Sequence, residues 1–397
     1  MASHIGSTKR QSKIAVMEES IEGTYQPPLS TTDYIQVSNF EDDTVIEDIP
    51  RELISGTIGM LKSLKGKRSA SGSVSVEARG SGTAGTVPDY HLLMHSAFGR
   101  EVIRNTQYTT TTGSTATTIV LSSGSGIGFE VGDLILIKNT ATNSHYQLRF
   151  VTAISTDTLT INFLLDPDDI PGSGITIEKA VTWKLAENGH PSLSVTNFWG
   201  DVLSNTLIGS KISSFSIGNF EAGANNPTGF NFNYQSLTFD QDNDSAQHIP
   251  VYQSQTPPIF IDADVYVNEN STCIKSIALS MDNTIQRIEC ASEDQGAINQ
   301  QIVKREIKGS FNPALEDNNM DFFYKFKDNT NFSIFVAAGN KDSNGNWIPG
   351  SIIAFYLPTV TISTAKITED GILRRELEFM ANRGTDGSTD ELYLGTC

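Results

Sequence analysis

Three short stretches of this chain carry residues that could bind a metal ion or a phosphate group. His91 and His95 stand four residues apart, the spacing that places two zinc ligands on one face of a helix. Residues 240–245 alternate aspartate with polar residues, as the beginning of a calcium-binding loop does. Residues 124–128 carry a glycine at every second position, which resembles a phosphate-binding loop. Each stretch implies a different chemistry and needs further ligands to perform it.

None of the three stretches is followed by the rest of its motif. No glutamate follows His91, and no third ligand is near. In the calcium pattern, Ser245 occupies the sixth position where glycine is required, and the closing glutamate is missing. The six histidines are scattered, and no nucleophile elbow lies between a strand and a helix. We therefore predict a protein that is not an enzyme and has no cofactor or metal, with a polar linker at residues 240–245.

The composition indicates β structure and an acidic surface. Only 38% of the residues are hydrophobic, and the abundance of glycine, serine, threonine and asparagine is typical of strands joined by many turns. The 46 acidic residues exceed the 28 basic ones, and the net charge of −18 argues against nonspecific binding to a phosphate backbone. This charge would suit the wall of a conduit for DNA, but composition alone favours the simpler interpretation that it keeps the protein soluble.

The cysteines and the apolar runs exclude two further classes of protein. Cys273, Cys290 and Cys397 are too few for a disulfide framework, and their odd number suits assembly in a reducing cytoplasm. A pairing of Cys273 with Cys290 stays open. No apolar run approaches ~18 residues, so we predict no membrane span.

A repeated pattern organises the chain. Each copy places a basic pair, a glycine in an alternating strand, and an aspartate before an apolar segment with helical spacing. The shared positions are Lys67, Arg68, Gly72 and Asp89 in the first copy and Lys304, Arg305, Gly309 and Asp321 in the second. Aspartate is a favoured N-cap residue, so we predict that it caps a helix in each copy. A repeated supersecondary unit indicates a duplicated domain.

The predicted fold is mainly β with short flanking helices. It comprises two tandem antiparallel β-sandwich or barrel domains and an inserted small β-barrel domain, because five short strands follow one another at regular spacing within the insert. The predicted segments are an N-terminal arm (1–33), a first domain (34–104 and 181–246), the insert (105–180), a second domain (252–381) and a C-terminal tail (382–397). We expect the arm to be disordered or ordered only against a neighbouring subunit, and the insert to project outward.

The order and spacing of these patterns resemble the major tail tube proteins of long-tailed bacteriophages. In the second half the resemblance is carried by residues 277–283, 304–311, 321–324, 354–358, 360–362 and 375–381. In the first half it is carried by residues 67–72, 192–195 and 213–217. The fold class that this resemblance implies is two tail-tube-like domains of antiparallel sheet, each flanked by a helix.

The resemblance also implies a function. Inner sheets of neighbouring subunits would join into a barrel around a lumen, rings would stack into a tube, and genomic DNA would cross the lumen without specific binding. The implied partners are other copies of the chain, tape-measure protein, and terminator or baseplate proteins. We favour a ring of three two-domain chains, with six as the alternative, in a virion tail assembled in the host cytoplasm.

Two loops precede the basic pairs at equivalent places, at residues 52–66 and 291–302. The first is apolar but interrupted by glycines, which disfavours a helix and exposes apolar side chains. It either contacts another subunit or folds as a hairpin onto its own domain. We predict contacts between stacked rings through Ile54, Gly56, Ile58, Gly59, Met60, Leu61, Ala297 and Ile298.

One other class of protein competes with the tail tube. A virion surface adhesin or a capsid decoration protein would suit the threonine-rich β structure and the barrel-like insert. Such a protein has no need to repeat the unit of basic pair, glycine and capped helix, so the repeat favours the tail tube.

Overall fold

A computed structural model describes residues 9–54, 58–140, 145–200, 202–218, 220–223, 227–243, 246, 248–313, 322–369, 373–384 and 389–397. The predicted mainly β fold is confirmed, with two short helices in this part of the chain: α1 (His91–Phe98) and α2 (Phe322–Lys327). None of the helices in these ranges is long and apolar enough to cross a membrane.

The strands follow one another along the chain in three groups. Before the insert are β1 (Lys13–Glu18), β2 (Tyr34–Ile35), β3 (Asn39–Ile49), β4 (Leu64–Glu77) and β5 (Gly99–Arg104). The insert holds β6 (Tyr108–Thr109), β7 (Thr118–Val120), β8 (Leu134–Lys138), β9 (Gln147–Ser155), β10 (Thr158–Ile161) and β11 (Thr176–Ile177). After it come β12 (Ala180–Leu185), β13 (Leu193–Trp199), β14 (Leu203–Gly218), β15 (Gly229–Ser236), β16 (Thr238–Asp242), β17 (Asp264–Val267), β18 (Asn270–Ser271), β19 (Ile274–Glu289), β20 (Ala297–Pro313), β21 (Phe332–Ala338), β22 (Ile353–Glu369), β23 (Leu373–Ala381) and β24 (Tyr393–Thr396).

Eight strands form one continuous antiparallel sheet in the spatial order β3-β4-β15-β14-β19-β20-β23-β22. Each half of the chain supplies four neighbouring strands. In the first half a long hairpin, β3–β4, is followed across the sheet by β15 and β14, and in the second half the hairpin β19–β20 is followed by β23 and β22. The halves meet where β14 pairs with β19, with Ser214 opposite Asp282 and Ile217 opposite Leu279. Their boundary is therefore an ordinary strand pairing, without a break in the sheet.

The eight-stranded sheet has one apolar face and one polar face. Strand β15 shows the alternation most plainly, because Phe230, Phe232 and Tyr234 are buried while Asn231 and Asn233 are exposed. Side chains point to opposite faces at every second residue, so the three aromatic rings share one face. That face packs against α1 and an outer layer of strands, and the main hydrophobic core lies between them.

The outer layer runs β5-β12-β24-β22-β21-β17. Strand β22 belongs to both layers, because its first residues pair with β21 and β24 and its residues from Val360 onward pair with β23. Strand β24 comes from the predicted C-terminal tail and lies between β12 of the first half and β22 of the second. It therefore joins the two halves a second time.

The predicted N-terminal arm is partly built into the same chain. Strand β1 pairs along its whole length with β13, from Lys13 opposite Phe198 to Glu18 opposite Leu193, and also with β2. The expectation that the arm orders only against a neighbouring subunit was therefore wrong for β1. The short apolar run Ile14–Val16 is buried, and it is too brief to stand out as a strand in the sequence.

The insert forms a separate six-stranded sheet in the order β6-β11-β8-β9-β10-β7. One side of it encloses a small core of its own. The other side packs on the outer layer of the second half, where the ring of Phe163 lies 4.2 Å from that of Tyr266 and Phe150 contacts Phe335 edge-on. The insert therefore covers the outer layer and shares a hydrophobic cluster with it.

Candidate functional site: a polar sheet face and two open edges

The repeated glycines occupy equivalent places in the two halves. Gly72 on β4 lies opposite Tyr234 on β15, and Gly309 on β20 lies opposite Phe379 on β23. A Cβ atom would come within 2.5 Å of the Tyr234 ring at Gly72 and within 2.3 Å of the Phe379 ring at Gly309. Each glycine thus leaves room for an aromatic ring of the neighbouring strand, which is a reason for glycine inside a strand.

A further irregularity recurs in the partner strands. The register between β14 and β15 shifts between Ile212 and Ser214, and that between β22 and β23 shifts between Ile362 and Thr364. Such bulges are specific local features of a strand pair. The correspondence of the two halves therefore extends to single residues, with Ser213 matching Ser363.

Each half carries a groove on the polar face. The first groove, of about 370 Å³, includes Glu41, Asp43, Ser71, Ser73, Asn233 and Gln235 in its lining. The second, of about 660 Å³, includes the matching residues Ala278, Ser280, Lys308, Ser310, Glu378 and Met380. The polar face is therefore concave at the same place in both copies.

Charged side chains are spread along this concave face. The Lys308 ammonium lies 2.9 Å from the Glu306 carboxylate, and this hydrogen bond lowers the pKa of Glu306. Glu41 and Asp43 add carboxylates at the first-half end of the face. The face offers polar and charged groups to whatever lies against it, and no nucleophile with an adjacent base lies in either groove lining.

Both ends of the eight-stranded sheet are open in the described part of the chain. Strand β3 pairs only with β4, and β22 beyond Val360 pairs only with β23. Apolar side chains stand exposed on both strands, among them Val45, Ile46 and Ile367. A strand with unpaired N–H and C=O groups is a template for another strand. The sequence predicts that sheets of neighbouring subunits join but does not identify these two edges, because alternation predicts a strand without revealing which strand lies beside it.

The two long hairpins differ in what covers their far ends. At the far end of the β19–β20 hairpin, Arg287 donates to the carbonyls of Arg68 and Leu237, each at 3.0 Å, and Gln300 donates to that of Gly209 at 2.7 Å. This hairpin therefore lies across the first half of its own chain. The matching end of the β3–β4 hairpin carries the exposed residues Ile54, Ile58, Met60 and Leu61.

The predicted assembly residues thus fall into two environments. Ile54, Ile58, Met60 and Leu61 are exposed, and a Cβ atom on Gly59 would meet nothing within 4 Å. In the second loop, Ala297 is buried within the chain while Ile298 is about half exposed. Gly56 lies outside the described residues.

The two basic pairs occupy matching strand positions but make different contacts. Lys67 forms an ion pair with Glu289 of the second half at 3.1 Å, and the Arg68 side chain is exposed. Lys304 lies 3.6 Å from Glu306, whereas Arg305 donates to the carbonyl of Ala186 in the first half at 2.7 Å. Lys67 and Arg305 therefore help to join the two halves of one chain.

The predicted helix cap at Asp89 was wrong. Tyr90 is the N-cap residue of α1 and makes no side-chain capping bond. The Asp89 carboxylate instead accepts a 2.6 Å hydrogen bond from Arg79, and both side chains are buried. The spacing to the helix was correct, but a buried guanidinium is a stronger partner for the carboxylate than backbone N–H groups. Asp321 lies outside the described residues.

The stretches with potential ligand chemistry have other partners. The His91 ring lies 3.2 Å from the Glu101 carboxylate. In the glycine-rich stretch 124–128, the Asp157 carboxylate accepts hydrogen bonds from the N–H groups of Gly124 and Gly126, so it occupies the place where a phosphate would bind. Residues 240 and 242 belong to β16, whereas Asp244 and Ser245 lie outside the described residues. Among the described residues, no group of three or more His, Cys, Asp or Glu side chains could hold a metal ion.

Duplicated sheets with open edges are typical of structural proteins that assemble with further copies of themselves. A comparison with family models agrees, because residues 9–381 match the model described as phage tail tube protein. The chain belongs to this family, which confirms the predicted resemblance. It is a non-enzymatic structural component of the bacteriophage tail, and its family assembles into a tube. A search of curated proteins finds no match.

Proposed function

We propose that this chain polymerises into rings that stack into a hollow tail tube, and that genomic DNA passes through an acidic lumen during delivery to the host. The observation that carries the proposal is the eight-stranded sheet, which is concave and polar on one face and open at both ends. Sheets of this kind can close into a barrel only by joining to further copies.

A ring of three chains follows from the duplication. Each chain supplies two modules with the same strand order, so three chains would form a ring with six-fold pseudosymmetry. Six chains would form a wider ring with twice as many modules. We favour three because the two halves of one chain are already joined as neighbours in a ring would be, by β14 and β19.

The polar face would line the lumen. Its serine and asparagine residues and its carboxylates, such as Glu41, Asp43 and Glu378, offer little attraction to phosphates. DNA would therefore meet a wall that repels it and would not be held in place. Lysines on this face weaken the repulsion of DNA, because each one that pairs with a carboxylate, as Lys308 does with Glu306, neutralises its negative charge.

Other parts of the proposal concern the partners and the setting. Tape-measure protein would occupy the lumen before DNA does, and terminator or baseplate proteins would bind the ends of the tube. Assembly would take place in the host cytoplasm. The two tube modules would be residues 34–104 with 181–246 and residues 252–381. The exposed end of the β3–β4 hairpin would contact another copy, either in the ring or in the next ring of the stack.

The test is electron microscopy of the purified chain combined with labelling of the lumen. We expect hollow tubes whose rings show three-fold symmetry with six lobes. In a Cys273→Ser, Cys290→Ser background, Ser310→Cys on the polar face should react with a small maleimide in tubes but not with one too large to enter. Leu164→Cys on the exposed insert is the control and should react with both. Monomers, or equal reactivity of Ser310→Cys with both reagents, would contradict the proposal.

A further inference from the structure

The junction between the two halves pairs strands in a defined register. Along β14 and β19 the opposite residues are Ser214 and Asp282, Phe215 and Met281, Ser216 and Ser280, and Ile217 and Leu279. The apolar members, two from each strand, are all buried and face the core. The serines Ser216 and Ser280 face the concave side, where both line the second groove. This junction thus pairs the backbone groups at the edges of both strands and buries the apolar side chains beneath them.

Each residue of this junction has a counterpart at an open edge of the sheet. Because Ser213 matches Ser363, residues 214–217 of β14 correspond to residues 364–367 of β22. Because Gly72 matches Gly309, and these glycines lie opposite Asp42 and Leu279, residues 42–45 of β3 correspond to residues 279–282 of β19. Both counterpart segments lack a second strand neighbour in the described chain.

We propose that β22 of one chain pairs with β3 of a second copy in the register of the internal junction. Ala365 then lies opposite Thr44, and Lys366 lies opposite Asp43. This inference rests on the proposed ring, and it names the residues through which neighbouring chains of that ring contact each other. The occupant of the edge is a second copy because the chain already contains this junction once, between its own two modules.

The opposed pair of Lys366 and Asp43 suits this register. Lys366 and Asp43 are both exposed and carry opposite charges. Asp43 lines the first groove, and Lys366 lies two residues from Thr364 of the second groove and so shares its face. Opposite charges directly across an antiparallel pair stabilise it by roughly 0.2–1 kcal/mol. Ala365 already packs against the main core, as its counterpart Phe215 does. A slip by one residue would align the concave face of one sheet with the core face of the other, because β22 and β3 are already fixed by their pairing with β23 and β4.

Cross-linking in assembled tubes tests the register. In the Cys273→Ser, Cys290→Ser background, the pair Thr44→Cys with Ala365→Cys should form a disulfide between chains on mild oxidation. The control pair Thr44→Cys with Ile367→Cys lies on the same face but is offset by two residues, which places its Cα atoms beyond the reach of a disulfide, about 7 Å. We expect at least about tenfold more linked chains with the first pair.

A charge exchange provides a second readout that needs no cysteine. Asp43→Lys and Lys366→Asp should each lower the yield of tubes, and the combination should restore it while the monomer melts at an unchanged temperature. Glu41→Lys combined with Lys366→Asp is the matched control and should not restore the yield. Tubes that link only through the offset pair, tubes that link through neither pair, or a combined exchange without rescue would overturn the register. A wild-type chain that forms no rings would instead overturn the proposed function.

Discussion

The two halves of this chain build the same four-strand unit in two different surroundings. The first strand of the second unit, β19, is covered by β14, whereas the first strand of the first unit, β3, has an open edge. At the other side of each unit, Ile217 is 5% exposed and its counterpart Ile367 is 63% exposed. Equivalent residues thus differ in burial because of their neighbours and not because of the fold of the unit. Differences of this kind mark the places where a further copy of the chain is needed.

The first half also carries additions that are not part of the four-strand unit. It holds the insert, and β1, β13 and β16 extend its sheet beside the first part of β14. The second half has fewer additions to its four-strand unit, and one of its neighbouring strands, β24, comes from the end of the chain. The insert packs on the outer layer, and the surface that both halves share is the repeated sheet itself.

The largest single effect should come from the ion pair that anchors α1 in the first half. Asp89→Ala removes the nearest carboxylate from the buried Arg79 guanidinium and leaves it with Gln36 and with the Glu77 carboxylate 3.9 Å away. The loss should cost about 3–5 kcal/mol of unfolding free energy. A role as a helix cap alone would cost only about 1 kcal/mol. Urea unfolding of the variant distinguishes the two, with Asp43→Ala, an exposed carboxylate of the same half, as a control expected to change little.

The next prediction compares the matched isoleucines. Ile217→Ala removes a buried side chain at the internal junction and should cost about 2–4 kcal/mol, measured by urea unfolding of the monomer. Ile367→Ala should change the monomer by less than about 0.5 kcal/mol, because the side chain is largely exposed there. It should nevertheless reduce tube formation, followed by light scattering. Equal costs in the monomer would mean that the two sites are not equivalent.

Much of the repeat could be predicted from the sequence, because it depends on residues that are close together along the chain. A glycine within an alternating strand and a basic pair at a fixed distance mark Gly72 and Gly309 in both copies. The β-rich fold and the strands of the insert follow from alternation and turn residues in the same way. These features depend on residues that are close together along the chain, and so they are visible without coordinates.

The contacts that join the halves could not be predicted in this way. The pairing of β14 with β19 and the place of β24 between β12 and β22 depend on which distant edges remain free once each unit has folded. The role of Asp89 was misassigned for a similar reason, since Arg79 enters the site from the end of β4 and leaves no mark in the helical pattern. The strands that form the candidate assembly edges could not be named, because an open edge has no sequence signature of its own.

The matched glycines allow a finer comparison of the two units. A Cβ atom on Gly309 would lie 2.4 Å from the carbonyl oxygen of Ala278 as well as against the Phe379 ring. At Gly72 the three nearest atoms all belong to the far end of the Tyr234 side chain, which can move. Gly309→Ala should therefore cost about 2–3 kcal/mol and Gly72→Ala about 1 kcal/mol in urea unfolding. The reverse order would show that the Tyr234 ring is the more rigid neighbour.

The smallest effect concerns the hydroxyl group of Tyr234, which the matching residue of the second half, Phe379, lacks. The Tyr234 hydroxyl is buried without a hydrogen-bond partner among the described residues, and burial raises the pKa of Tyr234 above its ordinary value of 10.0. The neutral phenol is thus favoured in the folded chain. Its contribution to stability is complete below pH 10 and is lost as the pH rises further, because the unfolded chain ionises first.

Tyr234→Phe installs the residue that the second half already has at this position, and at pH 7 it should change the unfolding free energy by less than about 0.5 kcal/mol. Between pH 10 and pH 11 the wild type should lose about 1 kcal/mol more than this variant, since one proton fewer is bound by its unfolded state. Phe379→Tyr is the reciprocal change and should steepen the alkaline loss. If urea unfolding gave the same loss for all three chains, the two aromatic positions would not share the buried environment that the repeat implies.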